Sequence, residues 1–200
     1  MNSTKEHILK TSLLLFLQKS YKEVTMKEIV EKTGLSKGAF YHYFDSKEVL
    51  FKKIVELFLS MGTPQYDTFS KESLQEFYHD YANTLDRSFR ELEKMTEGKT
   101  EKGAPFNFVM IMFDAFNRFP EFRERELELF RSDLRVWKNA VSAARKRGEI
   151  HSGESDENVA RLFLYCTDGV FLRFINNDGN KSYKNQIVAA FNTIYSGLRA

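Results

Sequence analysis

The chain has 200 residues, enough to bury one large core or two small ones. With 42% hydrophobic and 29% charged residues it is no disordered segment, and its longest apolar run, Leu13 to Leu17, is too short to cross a bilayer. The net charge of +2 hides a tilt, since residues 1–60 carry +3 and the remainder −1, a modest basic excess of the kind that favours an anionic partner.

The periodicity is helical almost throughout, with no alternating strand pair. A first helix is expected from Ser3, where Ser3 and Glu6 have capping-box spacing, with Ile8, Ser12, Leu15 and Phe16 on its inner face. Thr25 with Glu28 opens a second helix, which buries Ile29 and Val30 and stops at Gly34. Ser36 caps a short third helix running to about Phe44, and Asp45 with Glu48 opens a fourth that runs to about Met61. Gly62, Thr63 and Pro64 mark a boundary. Helices are then expected over residues 71–95, 106–119, 121–147, 156–175 and 183–198, with an exposed loop over 96–105 and a break at Pro120.

Three short helices, the second and third joined by a glycine-containing turn, have the form of a helix-turn-helix. Phe40 and Phe44 lie four apart and share the inner face of the third helix, while Leu35 plugs the turn. Lys37, Gly38, Tyr41 and His42 are left on or near the opposite side, where a major groove would lie. Tyr43 is balanced between packing and an outward role.

The stretch from Thr25 to Leu50, TMKEIVEKTGLSKGAFYHYFDSKEVL, resembles the DNA-binding domain of the TetR family of regulators. The resemblance reaches back through Ile8, Leu9, Phe16 and Tyr21 and covers roughly the first 60 residues; Ser20 and Thr33 depart from the usual residues, away from the DNA face. It implies an all-α protein: an N-terminal helix-turn-helix over residues 1–47, a connecting helix over 48–62, and a larger helical ligand-binding and dimerisation domain over 63–200. It further implies DNA-facing roles for Thr25, Ser36, Lys37, Gly38, Ala39, Tyr41, His42 and Lys47. Thr25 and Lys47 would meet phosphates, Gly38 would allow close approach, and Lys37, Ala39 and His42 would read base edges. The expected partners are a double-stranded operator, a small hydrophobic effector, and a second copy joined through the last two helices, where Ile187, Phe191, Ile194 and Leu198 form a stripe.

No phosphate-binding glycine loop, paired-cysteine zinc pattern, His-Glu-x-x-His string or Gly-x-Ser-x-Gly elbow occurs, so neither an enzyme nor a cofactor is expected. The lone Cys166 and the absence of a signal-peptide pattern point to the cytoplasm. The later sequence is rich in aromatic residues, and Phe108, Met112, Phe113, Phe116, Trp137, Phe163 and Phe171 are expected either to line an effector cavity or to form ordinary core. The competing readings are a helical enzyme or carrier and a protein-interaction module.

Overall fold

A computed structural model describes residues 3–61, 63–96, 104–175 and 182–199. Among these residues the chain forms α1 (Ser3–Gln18), α2 (Met26–Thr33), α3 (Lys37–Tyr41), α4 (Lys47–Met61), a 3-10 turn (Tyr66–Thr68), α5 (Leu74–Thr96), α6 (Ala104–Arg118), α7 (Pro120–Lys146), α8 (Asp156–Ile175) and α9 (Tyr183–Arg199), with no strand. The all-α expectation holds. Most of the loop expected over 96–105 lies outside the described residues, as does Gly62 at the expected boundary.

The helix ends show which local signals act. The Thr25 hydroxyl accepts the Glu28 N–H at 3.2 Å, so α2 is capped as its sequence predicts. Gly34 ends α2 at φ 68, a left-handed conformation that suits glycine, and its N–H reaches the Glu31 carbonyl. At α4 the cap is Ser46, whose hydroxyl accepts the Val49 N–H at 3.1 Å, and not Asp45. Ser3 is likewise already helical rather than a cap. Pro120 separates α6 from α7 and is itself the first residue of α7, a position where its missing N–H costs nothing. At the far end of α7, Gly148 (φ 71) and Glu149 return their N–H groups to Arg145 and Ala144, closing a Schellman motif.

The chain divides into two compact units: residues 1–62 with 91–124, and residues 63–90 with 125–200. In the first, α1 packs against α2, α4 and α6. That explains why Leu13 to Leu17 are apolar on every side: a helix covered all round has no polar face, and all five side chains are buried. Ser12, fully buried among them, is satisfied by the Ile8 carbonyl at 2.7 Å. Ile111, Ala115 and Phe119, from α6 and the residue after it, complete this core. The first unit breaks off at residue 62 and resumes over residues 91–124, so it is not one continuous stretch of the chain.

The second unit is built on rings. Trp137 is fully buried, with Phe77, Tyr81 and Phe163 each 5.0 Å away between centroids, the first two edge-on and the third stacked. Such pairs contribute roughly 0.5–1.5 kcal/mol each beyond their buried area. In α9, Ile187, Phe191 and Leu198 are buried in this same core. The stripe expected to need a partner subunit is largely covered by the chain's own helices.

Candidate nucleic-acid interface

The turn from Gly34 to Ser36 joins α2 to α3, and Ser36 caps α3 by accepting the Ala39 N–H at 3.3 Å. Phe40 and Phe44 are buried, which orients the short helix: Ser36, Lys37, Gly38, Ala39, Tyr41 and His42 are all exposed on its other side, and Thr25 is exposed at the start of α2. Tyr43 is half-buried and packs on the core. The structure thus brings together seven of the eight residues expected to face DNA on the exposed surface of one motif.

The chemistry of that surface suits a polyanion. The Thr25 and Ser36 hydroxyl oxygens each accept a backbone N–H, which leaves each O–H free to donate to an acceptor such as a phosphate oxygen. Tyr41 is 46% exposed, a large value for a ring, and its phenol can donate in the same way. A Cβ on Gly38 would meet nothing within 4 Å. The fold itself therefore does not require glycine there, although glycine within a helix costs about 1 kcal/mol.

Lys47 is placed differently. It is half-buried, and its ammonium donates to the carbonyls of Tyr21 and Val24 at 2.7 Å each while lying 4.3 Å from the centre of the Tyr21 ring. Burial, and repulsion from Arg118, hold this amine below the ordinary lysine range. An ammonium has three N–H groups, and two are spent on fixing the link that leads into Thr25.

The other side of that link is held by α6, a contact that the sequence did not reveal because its members stand nearly a hundred residues apart. Asp114 accepts the Tyr21 N–H at 3.2 Å, and the Arg118 guanidinium lies 4.7 Å from the Tyr21 ring centre. Tyr21 is thus contacted by two cations, Lys47 and Arg118, with burial pushing its phenol upward. Lys52 on α4 adds a second tie: it pairs with Glu48 and Glu121 at 2.9 Å each and lies 4.5 Å from the Phe119 ring.

The residues expected to line an effector cavity are not gathered into one place. Phe108, Met112, Phe113 and Phe116 belong to α6 in the first unit; Phe108 is buried, Met112 and Phe116 are half-buried and Phe113 is exposed. Trp137, Phe163 and Phe171 belong to the second unit, where Trp137 and Phe163 are fully buried ring core. A cavity of about 250 Å³ does exist in the second unit, and none of the seven lines it. Among the described residues no cluster of metal-ligating side chains occurs, and no helix is long and apolar enough to cross a membrane.

A capped helix-turn-helix with an exposed, hydroxyl-rich and basic recognition face defines a DNA-binding protein. Residues 8–54 match the family described as bacterial regulatory proteins, tetR family. The uncharacterized HTH-type transcriptional regulator YerO of Bacillus subtilis is 46% identical over 62 residues, which are 31% of this chain and only 22% of that relative. The HTH-type transcriptional repressor BepR of Brucella suis is 26% identical over 206 residues, covering 98% of this chain and 92% of its own. Among solved structures, a SmeT–triclosan complex superposes with a TM-score of 0.68 at 22% identity, over 98% of this chain and 91% of that one. Residues 8–54 thus carry a DNA-binding domain of the tetR type of bacterial regulatory proteins, and the whole chain shares its fold with solved TetR-family structures.

Proposed function

We propose that the protein is a homodimeric repressor that binds a pseudo-palindromic operator and releases it when a small hydrophobic effector binds the region 63–200. The observation that carries the DNA part is the outward face of α3: six consecutive or near-consecutive exposed residues, Ser36 to Ala39 with Tyr41 and His42, over a buried Phe40–Phe44 pair. Repression is the role that BepR's name carries, and the triclosan-bound SmeT structure supports effector binding on this fold.

A dimer is supported by α8. Leu162, Tyr165 and Leu172 are about half exposed and stand on one side of that helix with Cys166 and Gly169. A shallow groove lined by Cys166, Gly169, Val170, Arg173, Gln186 and Ala189 continues the surface onto α9. Large apolar side chains beside small ones suit close helix packing against a second copy.

Release would operate through the first unit. Both α4 and α6 pack on α1, and α6 holds Tyr21 through Asp114 and Arg118, so a displaced α6 disturbs the residues that lead into Thr25. An effector drives this only by binding the displaced form more tightly; coupling of about 1–3 kcal/mol changes DNA affinity roughly 5–150-fold. The test of the DNA part is fluorescence anisotropy with the duplex upstream of the protein's own gene. Steep salt dependence is expected, and Tyr41→Ala should lose binding with unchanged circular dichroism. An unfolded Tyr41→Ala variant, or salt-independent binding, would refute the assignment.

A further inference from the structure

The cavity in the second unit has a construction of its own. One wall is a ring cluster: Tyr66 and Phe77 stack 6.1 Å apart, and Phe69 sits 5.1 Å from one and 5.5 Å from the other. A further part of the lining is a single face of α7, where Val136, Ala140 and Ala143 recur at helical spacing and leave room by being small. Two cations, Lys71 and Arg147, complete the lining together with Ser70, Ser73 and Asn139, and no carboxylate is among the lining residues.

The neighbouring acids are already engaged. Glu149 pairs with Arg147 at 2.8 Å and also accepts from the Leu74 N–H and the Tyr195 hydroxyl. Asp80 and Glu76 accept from the N–H and the hydroxyl of Ser70. Asp133 faces the Tyr66 hydroxyl but does not line the cavity. The Lys71 ammonium has no ion pair among the described residues, and Asn139, exposed beside it in the lining, offers a further polar group.

We infer that this cavity binds a small aromatic carboxylate, its ring against the Tyr66–Phe77 stack and the α7 alanines and its carboxylate on Lys71 and Arg147. The size agrees: an apolar cavity of roughly 150 Å³ accepts benzene, so about 250 Å³ holds one substituted ring. The charge agrees as well: a carboxylate matches the Lys71 ammonium, which has no ion pair among the described residues, and the Arg147 guanidinium, which donates to the Lys71 carbonyl and to Glu149 and has five N–H groups in all. The inference names a site and a ligand class for the effector part of the function proposed above. It rests on that reading for transmission to DNA, though not for binding.

Trp137 is the chain's single tryptophan and lies edge-on to Phe77 at 5.0 Å, so its fluorescence reports the ring wall. Titration of the full-length protein with benzoate should give a saturable fluorescence change. The neutral isostere benzamide should bind at least tenfold more weakly, and Lys71→Gln should weaken benzoate about fivefold. Ala140→Leu, which fills the cavity from α7, should abolish saturation while circular dichroism stays native. Benzamide binding as well as benzoate, retained binding in Ala140→Leu, or no saturation up to about 10 mM would overturn the site. Benzoate that binds as described but leaves operator affinity unchanged supports the site and overturns its role as effector site.

Discussion

Replacing Lys47 by Met separates two uses of one ammonium. The side chain keeps its aliphatic length over the Tyr21 ring but loses two charge-assisted hydrogen bonds, to the carbonyls of Tyr21 and Val24. Buried bonds of this kind contribute about 1.5–3 kcal/mol each, and a cation over a ring about 0.5–1 kcal/mol at a partly solvated site. Lys47 is only half-buried, so halving the bond contributions and adding the ring contact gives a net loss of about 2–4 kcal/mol. For a chain of this size, each kcal/mol moves Tm by roughly 2–4 °C, giving an expected fall of roughly 4–16 °C by calorimetry or thermal circular dichroism. The variant should also bind operator more weakly for every sequence. If the third N–H reaches a phosphate, the slope of log K against log salt should fall by about 1. A variant with wild-type Tm and a reduced salt slope would refute the inward geometry and make Lys47 a phosphate ligand alone.

Gly34→Ala should cost about 1 kcal/mol in urea unfolding, because φ 68 is strained for alanine while its Cβ would meet nothing within 4 Å; a cost above about 3 kcal/mol would show a clash the structure lacks. Burial pushes the Asp133 carboxyl up from 3.8 to about 6, so between these values the folded state holds more protons than the unfolded, and stability falls as pH rises through that window. Asp133→Asn should therefore stabilise by about 2 kcal/mol at pH 7 and leave stability unchanged near pH 3.5; equal stabilisation at both pH values would refute the burial argument. Leu172→Glu, placing a charge on the exposed apolar side of α8, should convert a dimeric light-scattering mass to a monomeric one without loss of helicity, and a wild-type mass would move the interface elsewhere.

The recognition motif was legible because its determinants are local. A cap at Thr25, a left-handed glycine at Gly34, a cap at Ser36 and two phenylalanines four apart fix which way α3 faces, and the structure agrees at each. The cap of α4 falls one residue later than the spacing predicts because Asp45 and Ser46 are both competent caps, and only the backbone geometry chooses between them. What escaped was non-local. Spacing cannot tell that the Lys47 amine turns toward Tyr21, that Arg118 contacts the same ring, or that Ile187 and Phe191 are covered by the chain itself. The aromatic residues after residue 105 were legible as apolar mass only, since core and cavity lining share one composition.

The discontinuity of the first unit bears on how the protein is made. Its core draws on Ile111, Ala115, Phe119 and Phe122 as well as on α1 to α4. A fragment ending at residue 62 would therefore leave Tyr21 and Phe51, whose rings lie 6.2 Å and 6.1 Å from that of Phe119, without part of their covering. On the ribosome, the core that carries the recognition motif is complete only once residue 124 has been synthesised and has emerged, an interval of several seconds at about 5–20 residues per second. During that interval the second unit is also incomplete, because α8 and α9 have not been made. The nascent chain thus carries exposed apolar helices from both units at once, and it is in this window that chaperone engagement should be greatest.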